Sequence, residues 1–529
     1  MTRAAKRFST GYRFTADLLQ SIKRQIREVQ GPSDPDLEAY YRAYSLELER
    51  CRARPVPEET FLGLCRRSAV TLVGDFHTLD QSQKTFLRLL DSLGERRTRP
   101  IVGLEMVSSR HDIPLLKYLG GETDDAAFLE AINYFKYWGF DFLHYRPILE
   151  HARRWRLAVH GVNKEGPLLE RDRFMAHRLK HLSARYPGQP VVALVGDMHL
   201  AAPHLPGELE KIGISPLLLF QNSETVYMRK LKRGQPPTGF WGLGRRRFLS
   251  NNTPPTIKMQ TYLTWLEHGT EALCALFGYC ASRDADPDVD ITDTILRYIR
   301  ALKDLFGLRY RADDDFQVYT FRSFDFLKDA YYRRGEGGIY AAMIRDGQSL
   351  FVGRGNVIYV PALDVNRTVE ESMHYLMGTS LPTGSRPSDL TQRMHYFASG
   401  FLASKLINPS RRTAGPAQME SALRAGDSGI PPRERLKLQR QRSVYEAALG
   451  FFSMCRPGRV WSALEIQSLC RVDTETLFGL SRAVGYVAGD TLFGLYDEGR
   501  LSGADLRRYV FTQKDPFYLL DWLGEGVAS

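Results

Sequence analysis

Two copies of one short phrase carry most of the chemistry that this sequence offers. SAVTLVGDFH over 68–77 and PVVALVGDMH over 190–199 each close an apolar run with Gly-Asp-x-His. Each copy delivers an aspartate and a histidine, Asp75 with His77 and Asp197 with His199, to the end of what reads as a buried strand. Between them RPIVGLEM, over 99–106, carries one carboxylate, Glu105. A neutral imidazole is the commonest metal ligand and the usual base near neutral pH, and carboxylates accompany it in both roles. His77, Glu105 and His199 are therefore the candidate ligands of a divalent metal ion, whose identity the residues leave open. Such an ion would lower the pKa of bound water from about 16 toward 7 and supply a hydroxide for hydrolysis. Asp75 and Asp197 either orient their imidazoles through the second ring nitrogen or ligate directly. Glu105, His77, His199, Asp75 and Asp197 thus form the candidate catalytic set. A lone Gly-Asp after a strand is ordinary turn and N-cap chemistry. Only the repetition, with Glu105 between the copies, singles these residues out.

Further candidates lie close by. His204, five residues past the second copy, is within reach of the same site, Arg110 and His111 follow Glu105 and suit an anionic group, and Tyr145 precedes a helix. His204, Tyr145 and Arg110 are the candidate cofactor-binding residues. Glu371 and His374 have the E-x-x-H spacing of a helical metal pair, but with no partner in sight they read as structural. The sequence has no P-loop, no G-x-S-x-G and no H-E-x-x-H, and no G-x-G-x-x-G follows a strand, which removes the common nucleotide, esterase-elbow and zincin readings.

The elements that position these residues follow from periodicity. Short continuous apolar runs at 70–74, 101–105, 157–162, 191–196 and 216–220 alternate with amphipathic helices at 81–93, 147–154 and 168–185 and an aromatic-rich helical stretch at 124–142. Strands that are apolar throughout and separated by helices predict α/β architecture with a mostly parallel sheet flanked by helices. In such sheets ligands bind where strand carboxyl ends converge. A helical lead-in occupies 1–64, broken at 31–33. The α/β core spans 65–235, with nine of the chain's twelve histidines inside it. A largely helical region follows over 236–408, with helices including 257–268, 291–306, 324–333, 369–377 and 392–407. It carries a β-hairpin whose turn is expected at Asp346–Gly347, between AAMI and SLFVGRGNVIYV. Residues 409–432, rich in Ser, Gly, Pro and Arg, read as a linker or exposed loop, and 433–529 return to helix. There TLFGL occurs twice, at 476–480 and 491–495, and Gly485, Gly489 and Gly494 are expected to let helices approach closely.

Composition bounds the rest. The 529 residues, 43% of them hydrophobic, suit about two to four ordinary folded domains. No apolar run approaches the roughly 20 residues that span a bilayer, and the N-terminal stretch lacks the apolar core of a secretory signal, so the expected location is cytoplasmic. Six cysteines without a C-x-x-C pair read as free thiols. The net charge of +11 comes from Lys and Arg scattered in short groups such as 245–247 and 433–442, so nucleic acid is not an expected partner. A small molecule or peptide is the expected substrate.

Taken in order, GDFH at 74–77, Gln81 and Gln83, LEM at 104–106, Tyr145-Arg146-Pro147, Asn163 and GDMH at 196–199 resemble the ChaN-like haem-binding uptake proteins. These belong to the wider Tiki/TraB and erythromycin-esterase-like superfamily. The resemblance covers 65–235, about a third of the chain. It implies that His77, Glu105 and His199 stand at metal-binding or catalytic positions. ChaN-like members are associated with haem or iron, and Tiki-like and esterase-like members with hydrolysis. The chain departs from the ChaN pattern in having Asp75 where Glu is usual, in lacking a secretion signal, and in about 290 residues after the core. Two function classes follow. One is a metal-assisted hydrolase whose helical C-terminal half restricts access; the other is a non-catalytic haem or iron binder. For the latter the aromatic stretch 134–142 offers an apolar slot.

Overall fold

A computed structural model describes residues 3–31, 34–95, 98–276, 291–308, 316–319, 340, 343, 348–353, 356–360, 364–379, 381–382, 387–424, 432–455 and 474–512. The chain divides into two compact units, Met1–Pro287 and Asp288–Ser529.

The first unit is built on an eight-stranded sheet. In chain order the strands are β1 (Arg54–Pro55), β2 (Val70–Asp75), β3 (Ile101–Ser108), β4 (Val159–Asn163), β5 (Val191–Gly196), β6 (Leu217–Gln221), β7 (Gly239–Gly244) and β8 (Arg247–Asn251). Their order across the sheet is β1-β7-β8-β6-β2-β5-β3-β4. The six from β8 to β4 are mutually parallel, and β7 and β1 complete one side antiparallel. The five strands read from apolar runs all lie in the parallel part. The sheet also continues past Gln235, where the sequence reading closes the core. The stretch that supplies β7 and β8 lies between breakers and mixes aromatic, glycine and arginine residues, so it has no apolar run to announce it.

Both faces of the central parallel strands β6, β2, β5 and β3 are buried, which is why those strands are apolar along most of their length rather than at alternate positions. Val73, Val192, Leu194 and Val102 pack on one face with Phe86, Leu89 and Leu93 of the helix Asp80–Glu95. Val70, Leu72, Val191, Ala193 and Val195 pack on the other with Met175 and Leu179 of the helix Leu168–Arg185 and Leu205 and Leu209 of the helix Leu205–Lys211. The aromatic stretch 124–142 is not one helix but two short ones, Asp125–Ala131 and Tyr134–Tyr137, ahead of a 3₁₀ turn at Phe142–His144. Asn133 at φ 50° and Gly139 at φ 73° interrupt it, because left-handed backbone cannot continue an α-helix.

The second unit is largely helical with a small sheet. Its described helices include Thr292–Phe306, Val365–Met377, Pro387–Ile407, Pro432–Met454 and Thr474–Asp497. Leu350–Val352 pairs antiparallel with Val357–Tyr359, which pairs in parallel with Gln317–Tyr319. Both arms of this hairpin come from SLFVGRGNVIYV, and Asn356 in the turn is left-handed at φ 49°. Asp346–Gly347 and the helix expected at 324–333 lie outside the described residues. Within 409–432 the structure has a helix, Pro416–Arg424, with Met419 buried. Gly485 and Gly489 do bring helices together, since a β-carbon would lie 2.7 Å from Met394 O and 2.6 Å from Ala398 O respectively. Gly494 has no such neighbour. Cys51 and Cys65 are free thiols and Cys455 is buried; Cys274, Cys280 and Cys470 fall outside the described side chains.

Candidate functional site

The two Gly-Asp-x-His segments meet because β2 and β5 are neighbours, with Asp75 registered opposite Gly196. Gly196 lies between the two histidines. A β-carbon on it would lie 3.2 Å from His77 Nε2 and 3.3 Å from His199 Cδ2, so the absent side chain leaves a notch flanked by both imidazoles.

On the β2 side Asp75 is 3% exposed and has three partners. Gln83 Nε2 donates to Oδ1 at 2.5 Å and the Tyr145 hydroxyl to Oδ2 at 2.7 Å, while His77 Nδ1 stands 2.9 Å from Oδ2. That contact leaves Nε2 as the nitrogen of His77 with no hydrogen-bond partner among the described residues. The ring is half-buried against Trp138 at 4.4 Å and Phe140 at 4.7 Å between centroids. Phe140 stacks on Trp265, Trp265 on Tyr262, and Tyr262 meets Phe76 edge-on. The indole N–H of Trp265 donates to Gly139 O at 3.0 Å and ties the 138–140 loop to the helix Pro255–Leu276. All five aromatic side chains are half-buried, so they form a wall beside His77 rather than a closed core.

The β5 side is closed and charged. Glu105, 2% exposed, lies where the β3–β4 register shifts between Leu104 and Ser108. A strand irregularity re-aims a side chain, and here the carboxylate reaches β5, accepting the Gly196 N–H at 2.5 Å on Oε2. Its Oε1 takes Arg171 and stands 3.4 Å from His199 Nε2. Arg171 is held in turn by Asn163, at the end of β4, at 3.0 Å. His199 Nδ1 lies 2.6 Å from Asp172 Oδ1, and the Tyr40 hydroxyl donates to Asp172 Oδ2 at 2.9 Å. Burial alone would raise the pKa of Glu105, but the charges of His199, Arg171 and His77 outweigh it and hold the carboxyl well below the usual range. Burial would lower that of His199, but Glu105 and Asp172 reverse this and push it up to about 9, so its imidazole is an imidazolium at neutral pH.

The repeated motif is therefore not a repeated chemistry. Asp75 orients its own histidine, whereas Asp197 turns away from His199 and pairs with Lys258 Nζ at 2.7 Å in the first turns of the helix Pro255–Leu276. Lys258 also lies over the Phe76 ring at 4.3 Å. The carboxylate that orients His199 is Asp172, which the motif does not contain. Asp172, Arg171, Lys258 and Tyr40 are the residues that motif reading misses. A signal for Asp172 exists: at 172, 175, 176, 179 and 182 it occupies the buried stripe of its helix, where a carboxylate is out of place.

The other candidates are placed as follows. Tyr145, 1% exposed, donates to Asp75, and burial and the Asp75 charge hold its pKa far above the ordinary value. His204 stacks on Tyr40 at 3.7 Å between centroids, and burial lowers its pKa. Arg110 is exposed, pairs with Glu165 at 2.5 Å and lies over Tyr137. Other histidines of the core have structural partners: His160 bonds Asp112 and Tyr186, and His151 pairs with Asp91. In the second unit His374 is enclosed by Glu371 at 2.9 Å and Tyr396 O at 3.0 Å, so the E-x-x-H pair serves packing.

No group of three or more His, Cys, Asp or Glu side chains fit to hold a metal ion occurs among the described residues. Both oxygens of Glu105 are engaged by donors, one of them a guanidinium, and a cation that close opposes a second positive charge. Arg171, Glu105, His199 and Asp172 as arranged form an ion-pair network beside Gly196.

Residues 62–171 match the protein-family model described as haem-binding uptake, Tiki superfamily, ChaN. The matched stretch contains Gly74–His77, Glu105, Tyr145, Asn163 and Arg171, and ends before the second motif. The wider TraB and erythromycin-esterase-like grouping is not part of that description. Among solved structures, one described as cofacial heme binding to ChaN of Campylobacter jejuni aligns at 17% identity over 33% of this chain and 88% of that chain, with a TM-score of 0.27. No curated protein matches.

Proposed function

We propose that the first unit binds haem against the aromatic wall beside His77, with His77 Nε2 as the donor to iron. One observation carries this reading. His77 is an imidazole whose Nδ1 is taken by a buried carboxylate and whose Nε2 is unpartnered, set among half-buried Trp138, Phe140 and Phe76. A haem site needs an apolar slot and an axial nitrogen, oxygen or sulfur donor, and these residues fit both requirements. The family description of residues 62–171 as haem-binding uptake supports the same ligand. Iron in the bound group would supply ligand exchange or one-electron chemistry. The chain's own part is to shield the ring plane with Trp138, Phe140, Trp265 and Tyr262 and to fix the tautomer of His77 through Asp75. Titrating the full-length protein with haem is expected to produce a shifted Soret band that His77→Ala abolishes. The proposal fails if no band develops, or if His77→Ala binds as the parent does.

A second reading, hydrolysis of a small-molecule or peptide substrate, is favoured by the Asp75–His77 pair alone. A carboxylate on one imidazole nitrogen makes the other a general base. Turnover of a panel of nitrophenyl esters and peptide amides, lost in His77→Ala, would select it; a flat panel removes it.

A further inference from the structure

Asp75 receives more hydrogen bonds than orienting one imidazole requires. Its Oδ2 serves both His77 Nδ1 and the Tyr145 hydroxyl, and its Oδ1 takes Gln83 Nε2. The Tyr145 hydroxyl also lies 3.4 Å from His77 Nδ1, so phenol, carboxylate and imidazole share one small buried space. Gln83 is 1% exposed and Tyr145 1%, and the Tyr145 ring meets Trp138 of the wall edge-on at 6.1 Å between centroids. A carboxylate accepting a histidine N–H raises the basicity of the other ring nitrogen. Each further donor on that carboxylate draws off part of the negative charge available to the imidazole.

Resting on the haem reading above, we infer that Gln83 and Tyr145 are positioning residues that set how strongly His77 donates to iron, acting through Asp75. The three partners form a graded control. With Asp75 fully charged and undistracted, His77 has the most imidazolate character and the iron bond is strongest; with the charge removed, it is weakest. The native arrangement lies between these limits because two neutral donors hold the carboxylate back.

The inference makes opposite predictions for two substitutions at one oxygen. Tyr145→Phe keeps the ring volume and removes a donor from Oδ2, so the iron–histidine stretching frequency of the ferrous complex rises and the reduction potential moves negative. Asp75→Asn removes the charge, so both move the other way. Gln83→Leu, acting on Oδ1, shifts both quantities in the same sense as Tyr145→Phe and stands in for it if that variant fails to fold. The measurements are resonance Raman and spectroelectrochemistry on haem-loaded full-length protein. A merely structural role would move the variants together or not at all. Shifts of one sign in Tyr145→Phe and Asp75→Asn, or none in any variant, overturn the inference while His77-dependent haem binding still stands. A parent protein without a Soret band, or one indifferent to His77→Ala, overturns the haem reading and the inference with it.

Discussion

Replacing His199 with Asn tests the charged half of the site through the pH dependence of stability. His199 is 5% exposed, lies between Glu105 and Asp172, and has a folded-state pKa of about 9. In the unfolded chain histidine titrates near about 6.5. A pKa raised by folding means that the folded state holds the proton more tightly. The resulting stabilisation is fully present below about pH 6.5 and disappears as pH rises through about 9. Across that window it amounts to about 3 kcal/mol, at about 1.4 kcal/mol per pH unit. That equals roughly a hundredfold change in the open population. The assay is amide hydrogen exchange over 191–200 in the full-length protein, corrected for intrinsic rates, from pH 6.5 to 9. This segment contains the Gly196 N–H that Glu105 accepts. The parent is expected to lose protection by about this amount, and His199→Asn to start less protected and show no such slope. An equal slope in His199→Asn, or a flat profile in the parent, would refute the assignment of a buried imidazolium.

Three further outcomes follow from the contacts. Gly196→Ala places a β-carbon 3.2 Å from His77 Nε2 and 3.3 Å from His199 Cδ2, and such overpacking costs about 1–3 kcal/mol. Haem titration should show at least a tenfold weaker complex, and unchanged affinity would mean that the notch is not used. Lys258→Ala strands buried Asp197 and should destabilise the protein by about 3–5 kcal/mol in chemical denaturation, whereas Asp197→Asn with Lys258→Met recovers most of it. A double variant as unstable as the single one would contradict that pairing. His374→Phe removes one of the three partners of Glu371 among the described residues of the second unit and should cost about 1–3 kcal/mol with haem binding intact; loss of binding would show that the E-x-x-H pair is not structural.

Much of the scaffold was legible because burial on both faces of a parallel sheet leaves a local mark. A strand such as VVALVG can be apolar throughout only if both sides are covered, and the rule that ligands gather at strand carboxyl ends then points to Asp75, His77, Glu105 and His199. β7 and β8 were not legible, since a sheet margin built from glycine, arginine and aromatic residues carries no such run. The aromatic stretch 124–142 showed its composition but not its breaks at Asn133 and Gly139.

By itself the sequence determined which residue types arrive at the sheet's edge, because chain order, strand period and apolar burial are local properties. The tertiary structure alone decided their partners. Two identical Gly-Asp-x-His phrases became an oriented, half-open imidazole at His77 and a closed imidazolium at His199. Asp75 bends back to its own histidine, Asp197 is drawn off by Lys258 from a distant helix, and Asp172 takes its place from another. Arg171, from the same helix as Asp172, pairs with Glu105. Electrostatic energy depends on separation in space and on the exclusion of water, and neither is written in the spacing of residues along the chain.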